Sequence, residues 1–314
     1  MKRSFYYYMD IRVLQYFLAV AREGSITSAA EQLHMTQPPL SRQLKDLEDE
    51  LGVQLFIRGN RRITLTEEGR TLRRRAEEIV TLMEKTKAEM GDGRDSVSGE
   101  LFIGCGESPK FSLIARTIAK LQERYPKITV HLYSGNSEDV SERLDKGLLD
   151  FGLFIGVSDL SKYDYIRLPS SDTWGLLVRK DSAFSEKETI KPSDIISIPL
   201  ICSRQALLAN ELSGWFGCPS ENLNIIATCN LAYNAAVMVQ EYVGYALTLE
   251  RLVDTSWESK LCFRPLEPKV QAHHSLVWRK YQIFSVAAEK FLATLQEELQ
   301  EQANKEFYYG EKSR

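Results

Sequence analysis

The chain has 314 residues, of which 26% are charged and 43% hydrophobic, and its formal net charge is −3. This length suits two or three domains that each bury a core, and this charge excludes a protein that is basic overall, as many nucleic-acid-binding domains are. Because no stretch approaches the roughly 20 apolar residues of a membrane span, and the five cysteines are odd in number and scattered, we expect a cytoplasmic protein without a membrane segment or a disulfide framework.

The first predicted helix runs from about Ile11 to Glu23. Its apolar residues recur at helical spacing and form one buried face, and Gly24 ends the helix. Residues 1–8 precede it, and the sequence leaves open whether they are native structure or an upstream start.

Two short helices joined by a tight turn are predicted next. The first is expected from Ser28 to Leu33, because Ser28 and Glu31 stand at the three-residue spacing of a capping box. Thr36 is a good N-cap for the second helix, whose first turn tolerates two prolines. The second helix carries leucines spaced by four, three and four residues, which predict one buried stripe: Leu40, Leu44, Leu47 and Leu51.

The other edge of this second helix begins polar and basic and ends acidic. Its early side chains are of the kinds that hydrogen-bond to base edges and phosphates. They are Gln37, Ser41, Arg42 and Lys45. A helix of this polarity can turn only its N-terminal half towards DNA, as a recognition helix does. The alternative is an ordinary amphipathic helical hairpin with a solvated polar face.

A winged helix-turn-helix is predicted from the segment that follows. Val53–Phe56 and Ile63–Leu65 are expected to pair as a short β-ribbon. Its tip carries three arginines and no acid, so it can reach phosphates or a narrow minor groove, although a solvated loop would also carry arginine. We expect Arg61 in the groove and both Arg58 and Arg62 on phosphates.

Residues 11–69 resemble the DNA-binding domain of LysR-type transcriptional regulators almost throughout. The resemblance is carried by AAEQLHMTQPPLSRQLKDLEDELGVQLF and, shortly after it, RGNRRITLTEEG. It implies an all-α winged helix-turn-helix domain over residues 9–66 that binds double-stranded DNA. The positions expected to contact DNA are Thr36, Gln37, Pro38, Ser41, Arg42, Lys45, Arg58, Arg61 and Arg62.

A long helix is predicted over residues 67–90, capped by Thr66. One side of it carries a heptad-like stripe that suits pairing with a partner chain. The stripe is Leu72, Ala76, Ile79, Met83, Thr86 and Met90. The resemblance implies a linker helix that dimerises the DNA-binding domains, so that a homodimer or homotetramer binds an approximately two-fold symmetric operator. The polar, glycine-rich segment 91–99 is the expected hinge and domain boundary.

From Glu100 onwards, strand-like and helix-like segments alternate, which predicts an α/β domain over residues 100–300. The predicted strands are 101–105, 128–133, 151–155, 165–168, 174–178, 200–202, 245–249 and 275–278. The predicted helices are 111–125, 137–146, 205–216, 231–242 and 284–300. Residues 301–314 are charged and expected to fray.

This order of segments resembles the LysR-type effector domain, which is similar to type 2 periplasmic binding proteins. The resemblance implies two α/β subdomains, subdomain I over residues 100–166 and 267–300 and subdomain II over residues 167–266. A ligand in such a fold lies between the subdomains, at the carboxyl ends of strands and the N-termini of helices.

Small polar residues follow several predicted strands, at junctions where helices begin. Such junctions suit a small organic anion, although serine and asparagine also cap helices in general. The candidate effector contacts are Ser108, Ser134, Asn136, Ser203, Arg204, Asn230 and Thr248. By resemblance, Ser108 and Ser134 match the family's usual ligand-contacting positions best. Glu107 is a departure, because an acid there would repel a carboxylate unless it points away or pairs.

Neither a catalytic site nor a metal site is predicted. The four histidines are not at metal-ligand spacing, and there is no nucleophile elbow, phosphate loop or dinucleotide fingerprint, so we expect no cofactor. One branch of the family senses peroxide through a cysteine pair in the second subdomain, where Cys202 and Cys218 lie. Cys202 falls in a predicted buried strand, where cysteine is usually inert packing.

These features together predict a bacterial LysR-type, sequence-specific transcriptional regulator that is not an enzyme. Its activity is expected to be controlled by a small-molecule effector bound between the two regulatory subdomains. The alternative from another class is a cytoplasmic solute-binding or redox-sensing module whose N-terminal domain mainly mediates assembly. An enzyme is the least favoured class, because no catalytic set is visible.

Overall fold

The computed structural model describes residues 9–59, 62–90, 97–156, 158–208, 212–217, 219 and 222–311, except for the side chains of 58, 88–90, 208 and 305–311. The chain divides into two compact units, Met1–Gly91 and Asp92–Arg314, called the N-terminal unit and the C-terminal unit below. Some predictions from the sequence lie outside the described residues, namely those for residues 1–8, Arg61, residues 91–96 of the hinge, and Cys218.

The described part of the N-terminal unit consists of helices and a two-stranded ribbon. Its elements are α1 (Ile11–Glu23), α2 (Ile26–Gln32), α3 (Gln37–Leu51), β1 (Phe56–Arg58), β2 (Ile63–Leu65) and α4 (Glu67–Met90). The carboxylate of Asp10 caps α1 by accepting the Val13 N–H at 3.0 Å. Gly24, at φ +63°, ends α1, and its carbonyl accepts the Ile63 N–H at 2.8 Å, which ties that end to β2.

One hydrophobic core holds α1, α2, α3 and the start of α4 together. Leu40, Leu44 and Leu47 of α3 are all at most 2% exposed, so the predicted buried stripe is confirmed for them. The prediction is wrong for Leu51, which is 38% exposed. Leu51 is the last residue of α3 and precedes the left-handed Gly52, where the chain leaves the core.

The start of α2 differs from the prediction. Ser25 is the N-cap, and its hydroxyl accepts the Ser28 N–H at 3.3 Å. The expected capping box of Ser28 and Glu31 is therefore wrong, because the helix begins earlier and Ser28 already lies inside it. Thr36 does occupy the N-cap position of α3 with extended backbone, but its side chain makes no capping hydrogen bond.

The ribbon is fastened to the helices at both of its ends. Glu48 of α3 accepts hydrogen bonds from the N–H groups of Leu55 and Phe56, at 2.7 and 3.2 Å. Thr66 donates to the Gln54 carbonyl at 2.7 Å and accepts the N–H of the third residue of α4 at 2.9 Å, as a cap does. Because these bonds engage the chain up to Phe56, β1 starts there and not at the predicted Val53.

The C-terminal unit is an α/β structure built on one mixed sheet. Its strands are β3 (Ser98–Cys105), β4 (Lys127–Ser134), β5 (Phe151–Ile155), β6 (Tyr163–Arg179), β7 (Leu200–Ser203), β8 (Ile225–Cys229), β9 (Tyr245–Leu249), β10 (Leu261–Pro265) and β11 (Gln271–Arg279). Its α-helices are α5 (Ser112–Arg124), α6 (Ser137–Asp145), α7 (Pro192–Ile195), α8 (Arg204–Leu208), α9 (Ser213–Phe216), α10 (Ala232–Gln240) and α11 (Val286–Glu311). Across the described ranges, no helix is both long and apolar enough to cross a membrane.

Strand β6 lies in the middle of the sheet and belongs to both of its parts. The strand order is β4-β3-β5-β11-β6-β9-β7-β8, with β10 paired to β6 as a branch. The first part of β6 pairs with β11, and its last part, from Trp174, pairs with β9 and β10. We call β3–β5, β11 and the first part of β6, with α5, α6 and α11, the first half. The second half consists of the last part of β6 and β7–β10, with α7–α10.

The halves have separate cores and are joined by two adjacent segments. Leu101, Phe151 and Phe291 are fully buried in the first half, and Leu176, Ile195 and Leu200 in the second. One joining segment is β6 itself, and the other is residues 266–270, between β10 and β11. The two are bonded together, since the Trp174 N–H donates to Val270 and the Trp174 carbonyl accepts from Leu266, both at 3.0 Å.

Several predicted elements of this unit need correction. The predicted strands 165–168 and 174–178 are one strand, β6, which continues through Pro169 because its pairing with β11 is irregular there and no ladder bond is lost. The predicted helix 205–216 is two short helices, α8 and α9. Strands β8 and β10 were not predicted, and α11 continues to Glu311 where fraying was expected.

We predict that Glu48→Ala loosens the ribbon, because two backbone N–H groups lose the carboxylate that accepts from both. The expected loss of stability in the N-terminal unit is about 1–3 kcal/mol. Hydrogen exchange followed by mass spectrometry should show faster exchange at Leu55 and Phe56. Asp49→Ala, at an exposed neighbouring acid of α3, is the control. Equal exchange in the two variants would contradict this role of Glu48.

Candidate DNA-binding surface and ligand cleft

The polar edge of α3 faces outwards. Thr36, Gln37, Pro38, Arg42 and Lys45 are exposed, and Ser41 is half-buried beside them. This placement follows from the burial of the leucine stripe, since the opposite side of an amphipathic helix must then face solvent. The structure therefore brings the six predicted contacts of α3 together on one accessible surface.

The charges of α3 are divided along its length as the sequence predicts. Among the described residues, neither Arg42 nor Lys45 forms an ion pair, so both guanidinium and ammonium groups face solvent. At the other end of the helix, Glu48 is turned towards the ribbon and its carboxylate binds backbone N–H groups. An external polyanion can approach the first half of α3 and would be repelled from its second half.

The base of the ribbon adds a further basic surface. Arg62, a predicted contact, is exposed and lines a shallow groove together with Arg22, Arg70 and Arg73. Glu23 also lines the groove and pairs with Arg22, and Arg73 pairs with Glu77, so Arg62 and Arg70 carry most of its positive charge. Of the other two predicted ribbon residues, Arg58 lies in β1 with its side chain undescribed, and Arg61 is outside the described residues. Arg22 and Arg70 were not predicted as contacts. They could have been found because Arg22 lies at the end of α1 and Arg70 near the start of α4, and both of these helix ends lie beside β2.

A cavity of about 90 Å³ opens between the halves of the C-terminal unit. Four of the predicted effector contacts line it: Asn136, Ser203, Asn230 and Thr248. Ser108, Ser134 and Arg204 do not line it. Ser134 is exposed at the end of β4 and Arg204 is exposed at the start of α8. The lining also includes Glu107, Ser137, Trp174 and Gln205, which were not predicted as contacts.

Two side chains cross this cleft in opposite directions. Gln205, from the second half, accepts the Ser137 N–H at 2.9 Å and donates to the Ser137 hydroxyl at 3.0 Å. Glu107, from the first half, accepts the Ala232 N–H at 3.3 Å. Ser137 and Ala232 are the first residues of α6 and α10. The N-termini of both helices are thus bonded to side chains from the opposite half.

Ser108 belongs to a buried polar network where the halves join. Its hydroxyl donates to Asp172 Oδ2 at 2.5 Å, and His274 Nε2 lies 3.0 Å from the same oxygen. His274 Nδ1 lies 3.1 Å from the Ser170 carbonyl, which only accepts, so Nδ1 carries a proton. Asp172 and His274 are 4% and 0% exposed. Ser108 therefore links the end of β3 to β6 and β11.

The network does not have the geometry of a catalytic triad. In a triad, the histidine lies between the serine and the carboxylate, with Nδ1 on the acid. Here the serine and the histidine Nε2 share one carboxylate oxygen, and Nδ1 faces a backbone carbonyl. We interpret the network as structural. Among the described residues, no group of histidine, cysteine or acidic side chains could hold a metal ion.

Three described cysteines of this unit, Cys105, Cys202 and Cys229, are poorly suited to redox sensing. Burial, with a smaller effect from the neighbouring Cys229, raises the pKa of Cys202 to about 12. Burial also raises the pKa of Cys229 and, together with the charge of Glu107, the pKa of Cys105. The thiolate is the reactive form, so these thiols are held in their inert form near neutral pH.

We predict that Asp172→Ala destabilises the C-terminal unit by about 2–4 kcal/mol, because Ser108 and His274 lose their shared acceptor inside the protein. All four tryptophans lie in this unit, so denaturant unfolding followed by tryptophan fluorescence reports on it selectively. Asp164→Ala, at an exposed acid of the same strand, is the control. An unfolding midpoint for Asp172→Ala equal to that of the control would show that the network does not stabilise this unit.

A second prediction concerns thiol reactivity. With a pKa of about 12, roughly one Cys202 in 10⁵ is a thiolate at pH 7, so iodoacetamide and hydrogen peroxide should modify it far more slowly in the folded protein than in urea. Mass spectrometry of time-resolved samples measures both rates. Rapid oxidation of Cys202 in the folded protein would instead support the redox-sensing alternative.

Comparison with known proteins agrees with this two-part arrangement. Residues 11–70 match the family described as bacterial regulatory helix-turn-helix protein, lysR family, and residues 94–300 match the LysR substrate binding domain. The HTH-type transcriptional regulator BsdA of Bacillus subtilis (strain 168) is 37% identical over 203 residues, which cover 62% of this chain and 67% of BsdA. A probable RuBisCO transcriptional regulator of Porphyra purpurea is 32% identical over 194 residues, 61% of this chain and 60% of that protein.

The fold is also that of a solved regulator. The crystal structure of full-length CbnR complexed with its target DNA has a TM-score of 0.71 and 22% identity, and the match covers 92% of this chain and 100% of CbnR. Members of the matched family are transcriptional regulators and not enzymes. This chain belongs to the LysR family of transcriptional regulators, with an N-terminal helix-turn-helix domain and an α/β effector domain.

Proposed function

We propose that this regulator reads a specific DNA sequence with α3 and the β1–β2 ribbon, and that a small molecule bound in the cleft of the C-terminal unit controls it. The observation that carries the DNA-binding part is the outward polar edge of α3 over a leucine stripe at most 2% exposed. A helix held this firmly can place side chains in a major groove without losing its own packing.

The division of labour among the contacts follows from chemistry. Gln37, Ser41 and Arg42 carry the groups that pair with base edges, whereas Lys45 and the backbone at Thr36 suit phosphates. The arginines of the ribbon hold the adjacent backbone or minor groove, with Arg61 in the groove and Arg58 and Arg62 on phosphates. This local basic surface gives DNA affinity to a chain whose net charge is −3.

We further propose that a second copy of the chain pairs along α4, giving a homodimer and, through a pair of dimers, a homotetramer. The first part of α4, with Leu72 and Ala76, packs in the core of its own unit. Further along, Ile79 and Leu82 are 40% and 43% exposed, which leaves apolar surface for a partner helix. Two recognition helices then read an approximately two-fold operator in the cytoplasm.

The effector part rests on the cleft. It lies between two α/β halves and is lined by helix N-termini and small polar groups, which can orient a small ligand. The sequence favoured a small organic anion, which needs a free helix N-terminus or a cation in the cleft. The alternative is a solute-binding or redox-sensing module whose N-terminal domain mainly mediates assembly, and it predicts no gel shift with any promoter fragment.

Arg42→Ala tests the DNA-binding proposal. Loss of a base-edge or phosphate contact should weaken specific binding by about 1–3 kcal/mol, and the affinity of the wild-type protein should fall steeply with salt. The measurement is a gel shift and footprint on genomic fragments that the wild-type protein itself selects. Arg116→Ala, at an exposed arginine of α5, removes the same charge from the C-terminal unit and should bind normally. An unchanged footprint and affinity for Arg42→Ala would refute the assignment.

A further inference from the structure

Side chains of the chain itself are bonded to the N-termini of α6 and α10 at the cleft, and at the short α8 the Ser203 hydroxyl accepts the Ala206 N–H at 3.4 Å. At α6, Asn136 and Asp139 form a capping box, and the Ser137 N–H is bonded to Gln205. At α10, the N-cap residue Leu231 provides no capping side chain, and the carboxylate of Glu107 binds the first N–H of the helix. An anionic ligand would therefore have to compete with these side chains, at α10 with the carboxylate of Glu107, for the N–H groups of the helix ends.

Glu107 is also the sole charged side chain among the described residues that line the cavity. The remaining polar lining consists of hydroxyl, amide and thiol groups, such as Ser203, Asn230 and Thr248. Arg204, the cation that sequence analysis placed here, lies outside the lining. An anion would thus meet one negative charge and no compensating positive charge.

The charge of Glu107 affects a neighbouring buried group. Burial and, to a smaller extent, the charge of Glu107 raise the pKa of Cys105, at the end of β3. Like charges in a partly solvated site repel one another, and the exposure of Glu107 to solvent weakens the repulsion without reversing it. A carboxylate in the cavity would be disfavoured by an interaction of this kind, and an ammonium or amide N–H would be favoured.

We propose that the effector is a small amine or amide whose nitrogen donates to Glu107, and not a carboxylate. This inference rests on the proposed function, since it names the chemical class that the cleft takes. The cavity of about 90 Å³ is smaller than the roughly 150 Å³ that holds benzene, so the part of the effector it encloses has only a few non-hydrogen atoms.

The test uses three probes with one carbon skeleton and different charge: n-propylamine as its chloride, propionamide, and sodium propionate. Binding to the full chain at pH 7 and fixed ionic strength is measured by NMR titration and by tryptophan fluorescence, since Trp174 lines the cavity. We expect n-propylamine to bind about tenfold more tightly than propionate, with propionamide between them. The Glu107→Gln variant keeps an acceptor for the Ala232 N–H and should abolish this preference.

Glu123→Gln is the matched control, because Glu123 is an exposed acid of α5 that does not line the cavity. Glu123→Gln changes the net charge by the same amount as Glu107→Gln and should leave the order of the three probe affinities unchanged. Propionate binding most tightly, an order unchanged in Glu107→Gln, or no response to any probe would each overturn the proposal. If the same preparation still binds DNA specifically, the proposed DNA-binding function stands and only the charge assigned to the effector is wrong.

Discussion

The burial of three leucines in α3 is the constraint from which the DNA-binding surface follows. With Leu40, Leu44 and Leu47 in the core, the rotation of the helix about its axis is fixed, and so is the direction of every polar side chain on the other edge. Glu48 extends this constraint to the ribbon through two backbone N–H groups. Recognition helix and ribbon are therefore held as one body.

The C-terminal unit is subject to a different constraint, because a ligand cleft requires two halves that are packed separately and yet connected. Each half has its own core, although Ala272 of β11 packs into that of the second half, and the connection is concentrated in β6 and in the segment before β11. Ser108, Asp172 and His274 meet there and satisfy one another inside the protein. Polar groups at this position favour one arrangement of the strands, because any other leaves a buried acceptor without a donor.

Local sequence patterns predicted the elements whose signals are local. Phe151–Ile155 and Tyr245–Leu249 were predicted at their observed bounds, because each is an apolar run between turn-forming residues. Strand β8 was missed because its five residues, IIATC, do not alternate between apolar and polar side chains, and β10 because Arg264 and Pro265 interrupt its pattern. The buried network beside the cleft was harder still to predict: Ser108 lies 64 residues from Asp172 and 166 from His274, and no local spacing reveals such partners.

The two segments that join the halves of the C-terminal unit have a mechanical consequence. They run side by side and are bonded to each other through Trp174, so they cannot slide past one another without breaking that bonding. Any change in the opening of the cleft must therefore deform both segments together. The distance from Ser137 to Gln205, which are now hydrogen-bonded across the mouth, would report that opening.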